Sequence, residues 1–166
     1  MFASMTTGTV KFLKNLIETH PKVNIYIMKH GGTALVYYEH KKKKSIFVSG
    51  KSYSVIKQYG QVQQIGFVSM HHVPVMEDVK AIFEEKISSP LAKMKQVTGV
   101  SAIRLLQPIK NNTYVIFIIW NSEKSFQQWE RTKIDFSTLV RQPAYFGERA
   151  FTQTYRMLKE DDNEIE

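Results

Sequence analysis

The sequence contains no cysteine. This excludes disulfides, thiolate catalysis and cysteine-bound metals, and it favours a reducing compartment, so we expect a cytoplasmic protein. Long apolar runs are also missing. The longest, TYVIFIIW at residues 113–120, is far shorter than the ~18 residues that read as a membrane-spanning helix, and it predicts a buried strand. No secretory signal is expected, because Lys11 and Lys14 interrupt the first apolar segment.

Acidic residues are fewer than basic ones, 15 against 23, which gives a net charge of +8. Five of the acids lie in residues 160–166, so basic residues exceed acidic ones by 13 in residues 1–159. A surplus of this size attracts nucleic acid, anionic lipid headgroups or a carboxylate-bearing ligand. We expect residues 159–166 to form a disordered acidic tail.

The densest basic cluster is Lys41–Lys44, between two strand-like runs, TALVYYEH and SIFVSG. The pattern predicts an exposed hairpin tip that protects a sheet edge. A nucleic-acid groove needs aromatic residues interleaved with basic ones over a longer surface, so we expect no specific nucleic-acid site here. Peripheral contact with a membrane stays open.

Residues 1–62 have the pattern of a small α+β subdomain. Apolar residues at Val10, Leu13 and Ile17 indicate a helix that Thr7 or Thr9 caps. Two strands follow, VNIYIM and TALVYYE, on either side of Gly31–Gly32. SIFVSG then reads as a short strand, and KSYSVIKQYG reads as a short helix.

Residues 63–158 predict a second unit with the order β-α-β-β-α-β, which is the ferredoxin-like pattern. The expected fold class is therefore α+β: a ferredoxin-like unit with a shortened N-terminal companion, the two closing a core like that of a dimeric α/β barrel. The long helix contains Pro90, where we expect a kink or a restart.

Two adjacent histidines, His71 and His72, lie in the first strand of this unit, GFVSMHHVPV. Successive side chains on a strand point to opposite faces, so the pair cannot hold one metal ion without a bulge. Alternation alone predicts that one histidine is exposed and that the other is neutral and hydrogen-bonded.

The strand GFVSMHHVPV and the segment IIWNSEKSFQQW resemble the antibiotic-biosynthesis-monooxygenase family, and in particular its haem-degrading branch in Gram-positive bacteria. A Trp, then Ser-Glu, then Phe and a second Trp form the more specific part of the motif. FLKNLIETHP, YSVIKQYG and FTQTYRM are similar to the two-part haem monooxygenases of bacilli and to the staphylococcal signalling proteins called target of RNAIII-activating protein. The resemblance covers nearly the whole chain.

The resemblance implies three site residues: an Asn on the first strand that orients the oxygen substrate, the second Trp of the motif, which packs on haem, and a His ten residues later that ligates iron. The Trp is Trp129, which could equally be a core residue. The Asn position falls on His72 and the His position on Leu139, so the usual axial ligand is absent. We therefore expect His72 to face the layer between sheet and helices. Trp129 and His72 become the candidate catalytic and haem-binding residues, with His72 as the candidate iron ligand.

The function implied is that of a haem-degrading monooxygenase-like protein, which would open the haem ring with O₂ and a reductant. Haem would be both substrate and cofactor, or another anionic small molecule would take its place. The resemblance also implies an unidentified electron donor and allows a homodimer. The alternative is a non-catalytic signalling, stress-response or haem-binding protein.

Overall fold

A computed structural model describes residues 1–132 and 150–159 of the chain. In chain order, the elements are β1 (Phe2–Gly8), α1 (Val10–Glu18), β2 (Tyr26–His30), β3 (Thr33–His40), β4 (Lys51–Tyr59), β5 (Phe67–Pro74), a 3₁₀ turn (Glu77–Val79), α2 (Lys80–Met94), β6 (Val100–Pro108), β7 (Thr113–Trp120), α3 (Glu123–Thr132) and β8 (Phe151–Met157).

The eight strands of the described residues form one closed antiparallel barrel with the order β1-β3-β2-β8-β5-β7-β6-β4. Each half of the chain contributes four neighbouring strands. In the second half, β8, β5, β7 and β6 surround the two helices α2 and α3 in the β-α-β-β-α-β order predicted from the sequence. The halves meet at two equivalent seams, where β2 pairs with β8 and β4 pairs with β6. The expected α+β, barrel-like fold is confirmed, while a domain boundary between residues 62 and 63 stays a prediction.

The barrel interior is an apolar core built from both halves. Met28, Leu35 and Tyr37 of the first half pack with Val68 and Phe117 of the second. The rings of Tyr37 and Phe117 lie 4.5 Å apart between centroids. The face of the second sheet that carries no helices is thus buried against the first half, as the sequence predicted.

The outer faces of the two half-sheets are covered differently. Helices α2 and α3 cover the second half, with Phe83, Ile87 and Trp129 in their shared core. Helix α1 covers part of the first half, and Ile46 and Phe47 of the loop at residues 41–50 pack beside it. This loop follows β3, the third strand of the first half. At the equivalent point of the second half, β7 is followed by α3. None of the helices in the described ranges has the length and apolar character needed to cross a membrane.

Several local predictions are corrected by the structure. KSYSVIKQYG is not a helix but β4, because Tyr53 and Val55 alternate into the barrel core and the backbone pairs with β6. SIFVSG is not a strand but part of the loop, so Lys41–Lys44 are exposed without forming a hairpin tip. Strand β1 was not predicted. Helix α2 continues through Pro90 without a restart.

A polar cluster inside the barrel joins the two halves. The Arg104 side chain on β6 is 5% exposed and donates from Nε to Oε2 of Glu39 on β3, over 2.7 Å. Its Nη1 donates to the carbonyls of Tyr59 and Ile103, each at 2.9 Å. The Tyr37 hydroxyl donates to the same Glu39 oxygen, and burial together with that carboxylate holds the pKa of Tyr37 well above its usual range.

We expect Arg104→Met to lower the free energy of unfolding by about 3 kcal/mol, because it leaves the Glu39 carboxylate without its cation in a largely buried site. The double variant Arg104→Met/Glu39→Gln should recover roughly half of that loss, because a neutral amide still accepts from Tyr37. Urea unfolding at pH 7 measures both. Equal losses in the two variants would show that the ion pair is not what Arg104 contributes.

Candidate functional site

Strand β5 is buried on both of its faces. Val68 and Met70 point into the barrel, where they belong to the shared core. Phe67 and Val73, on the opposite side, pack in the layer between the sheet and the helices α2 and α3. Because side chains alternate along a strand, His71 also lies on the helix side.

His71 lies beside Trp129 in this layer. The imidazole is 4% exposed, and its centroid is 5.7 Å from that of the Trp129 ring, with the two planes at 77°. The His71 Nε2 atom lies 2.9 Å from the Ser69 hydroxyl, and the Nδ1 atom lies 3.0 Å from the Thr152 hydroxyl on β8. Both ring nitrogens therefore have a hydroxyl partner.

The hydrogen-bond chain around His71 has one consistent direction. The Trp120 Nε1–H is only a donor and gives its hydrogen to Ser69 Oγ over 2.9 Å. The Ser69 side chain is fully buried, so its own hydrogen needs an acceptor, and His71 Nε2 is within reach. We therefore assign the His71 proton to Nδ1, from which it is donated to Thr152.

His71 is a neutral base in this setting. Burial, followed by the neighbouring His72, lowers the pKa of His71 to about 3. At pH 7 the imidazole is uncharged, which is the form that ligates metals and accepts hydrogen bonds.

Trp129 is positioned by the short helix α3, whose first turn is capped where the Ser125 amide donates to the Ser122 hydroxyl over 3.2 Å. Its ring is 8% exposed and packs against Trp120 and Phe126, at centroid distances of 5.5 Å and 6.2 Å. Trp129 is therefore part of the helix-side core and also lies next to His71, while its role in haem binding stays a prediction.

The orientation predicted for His72 is wrong. Its side chain points to the barrel side of β5, where it stacks on Phe151 with centroids 4.5 Å apart and planes at 6°. The structure therefore does not bring His72 together with Trp129. His72 Nε2 is buried and has no hydrogen-bond partner among residues 1–132 and 150–159. Burial is the main cause that lowers the pKa of His72 to about 4.

Leu139, which takes the axial-ligand position in the resemblance, lies outside the described residues. Within the described ranges, no group of three His, Asp or Glu side chains could hold a metal ion. What the arrangement offers is a single neutral imidazole, held by two hydroxyls, next to an indole.

No protein-family model matches the chain. The chain is 22% identical over 130 residues to a heme-degrading monooxygenase of Listeria monocytogenes, covering 78% of this chain and 77% of that protein. It is 24% identical over 134 residues to the signal transduction protein TRAP of Staphylococcus epidermidis, covering 81% and 80% of the two chains.

Two solved structures share the fold over nearly the whole chain. A major regulator of staphylococcal pathogenesis superimposes with a TM-score of 0.86 at 22% identity, over 96% of this chain and 100% of that one. A heme-degrading enzyme from Listeria monocytogenes superimposes with a TM-score of 0.77 at 18% identity, over 95% and 100%. These similarities agree with the resemblance seen in the sequence: the chain is similar in sequence to a heme-degrading monooxygenase and to TRAP proteins, and it shares the fold of the two solved structures.

Proposed function

We propose that this chain is a haem-degrading monooxygenase-like protein that binds haem in the layer between β5 and α3. The observation that carries the proposal is that the neutral imidazole of His71 faces Trp129 there. The relative named as a heme-degrading monooxygenase supports haem as the ligand. In this proposal His71, and not His72, is the candidate iron ligand. Trp129 remains a candidate haem-binding residue.

The residues of the layer fit haem in their chemistry. A neutral imidazole is the common protein ligand of haem iron, and one His71 nitrogen becomes available if it releases its hydroxyl partner. Trp129, with Phe126 beside it, supplies aromatic surface for a flat apolar ring. When bound, haem would supply the iron at which O₂ and a reductant open its own ring.

The hydroxyls of Ser69 and Thr152 hold the His71 ring in one orientation and one tautomer. This fixes which nitrogen carries a proton and which carries a lone pair. His71 therefore acts either as an iron ligand or as a hydrogen-bonding group toward the site. The choice between these roles depends on which of the two hydroxyls it releases.

A second candidate is a haem-binding or signalling protein without turnover. The close packing of Trp129 with Trp120 and Phe126 favours it, since these rings already fill part of the layer. Leucine at position 139 favours it too, because that side chain cannot ligate iron. The similarity to the TRAP proteins fits this candidate equally well.

The proposal also includes an electron donor of unknown identity and a cytoplasmic location, which the lack of cysteine supports. A homodimer is compatible with it, although one chain already supplies both halves of its barrel.

Replacing His71 with Ala should shift the Soret band of the haem complex or abolish saturable binding, because the only imidazole described on the helix side is then lost. Replacing His72 with Ala should leave the Soret position unchanged, because that ring lies on the other face of β5. Optical titration with haemin measures both, and His30→Ala on the exposed end of β2 is the surface control.

Ascorbate added to the saturated complexes in air separates the two candidates. Decay of the Soret band in the parent protein, with little decay in His71→Ala, is the result expected of the monooxygenase. A stable band identifies a haem-binding protein without turnover. If the parent shows no saturable haem binding, or if His71→Ala behaves like the parent, the proposed haem site is wrong.

The neutral state of His71 also predicts how stability depends on pH. The folded pKa is about 3 and the unfolded value is about 6.5, so the unfolded chain binds the extra proton between these values. The stabilisation from a neutral His71 is complete above pH 6.5 and is lost as the pH falls toward 3. Between pH 7 and pH 4.5 the parent should lose about 2 kcal/mol more unfolding free energy than His71→Asn in urea unfolding. Parallel pH curves for the two proteins would contradict a buried neutral His71.

A further inference from the structure

A second candidate site is a cavity that both halves of the chain line. It lies beside the loop at residues 41–50, which occupies the position in the first half that α3 occupies in the second. The cavity has a volume of about 430 Å³, which is within the size range of small-molecule sites. Its walls come from three places: that loop, the start of β4, and the turn between β6 and β7.

The charge of this cavity has one sign. Among the described residues, four lysines and no acidic residue line it: Lys43, Lys44, Lys51 and Lys110. Within the described part of the chain, none of the four forms an ion pair. Hydroxyl and amide groups lie between them, from Ser45, Ser49, Ser52 and Asn111. Ammonium groups and hydroxyl donors around one concave space are the chemistry that binds phosphate oxygens.

We propose that this cavity, which we call the lysine pocket, binds a small phosphate-bearing anion. The small volume of the concave space favours a compact ligand over a nucleic-acid strand, which would need an extended surface with aromatic rings to stack on. The phosphate could be carried by a free metabolite or by a lipid headgroup. Val48, at the wall of the pocket, is fully exposed and would lie against lipid in the second case.

A hydrogen-bond relay connects the wall of the lysine pocket to a histidine. Ser52 Oγ lies 2.7 Å from Ser4 Oγ, and Ser4 Oγ lies 2.8 Å from His40 Nε2. His40 Nδ1 lies 2.5 Å from the Lys42 carbonyl, which only accepts, so Nδ1 carries a hydrogen. With a neutral His40, Nε2 is then an acceptor, Ser4 donates to it, and Ser52 donates to Ser4.

Protonation of His40 reverses this relay. Nε2–H then donates to Ser4, Ser4 donates to Ser52, and the Ser52 hydrogen is free to point at an anion in the pocket. Binding of the anion should therefore take up a proton at His40. The ring lies between Phe2 and Tyr38. Burial lowers the pKa of His40, the hydrogen bond to the Lys42 carbonyl opposes this, and the charged amine of Met1 lowers the pKa further.

The test uses the full chain and inorganic pyrophosphate as the probe, in calorimetric titrations at pH 7.5 and pH 6 and at constant ionic strength. The pocket variant is Lys51→Gln/Lys110→Gln. The matched control, Lys11→Gln/Lys22→Gln, removes the same charge from exposed sites outside the pocket. We expect the parent protein to have one saturable pyrophosphate site. The pocket variant should lower the affinity of that site roughly tenfold, and the control should lower it less than about twofold. Because binding takes up a proton at His40, the parent should bind pyrophosphate more tightly at pH 6 than at pH 7.5. His40→Gln should remove this difference.

A second arm mixes the protein with vesicles containing phosphatidylglycerol and repeats the comparison by sedimentation. Vesicle binding that the pocket variant loses and pyrophosphate displaces assigns the phosphate to a lipid headgroup, while pyrophosphate binding without vesicle binding assigns it to a free ligand. Either result supports the lysine pocket. Equal weakening by the two double variants, or no saturable binding in both arms, overturns it. Haem binding at the layer between β5 and α3 should be the same in all these variants.

Discussion

Closure of the barrel at two seams is the constraint on which the rest of the structure depends. Once β2 pairs with β8 and β4 pairs with β6, every strand has one face inside the barrel and one face outside it. Alternation along β5 then decides the chemistry of the site residue by residue. The same rule that sends Met70 into the shared core sends His71 toward Trp129 and leaves His72 on the barrel side.

The sequence was sufficient to predict the second half, because its helices and strands have strong and distinct periods. It was insufficient for β4, since KSYSVIKQYG spaces its apolar residues in a way that fits both a helix and a strand, and only pairing with β6 makes it a strand. Alternation correctly predicted that His71 and His72 lie on opposite faces of β5. It did not show which of them faces the helices, because β5 is buried on both faces and has no exposed polar side to mark the exterior.

The two halves share strand order but have different outer surfaces. Around β5, two hydroxyls and an indole hold a neutral imidazole in an apolar layer. Around β1, a loop replaces the second helix, and Ser4 and His40 connect to a cavity lined by lysines. The scaffold thus pairs an apolar, aromatic site with a cationic one. This difference arises from what covers each half-sheet and from the polar residues on its outer face, since the strand order of the two halves is the same.

The proposed haem site requires that His71, and not His72, faces Trp129 with its proton on Nδ1. Nuclear magnetic resonance of the ¹⁵N-labelled protein at pH 7 tests this directly. We predict nuclear Overhauser contacts between the His71 ring protons and the Trp129 indole, together with ¹⁵N shifts of a neutral His71 that is protonated at Nδ1. Contacts from His72 to Trp129, or a charged His71 at that pH, would contradict the assignment of the site.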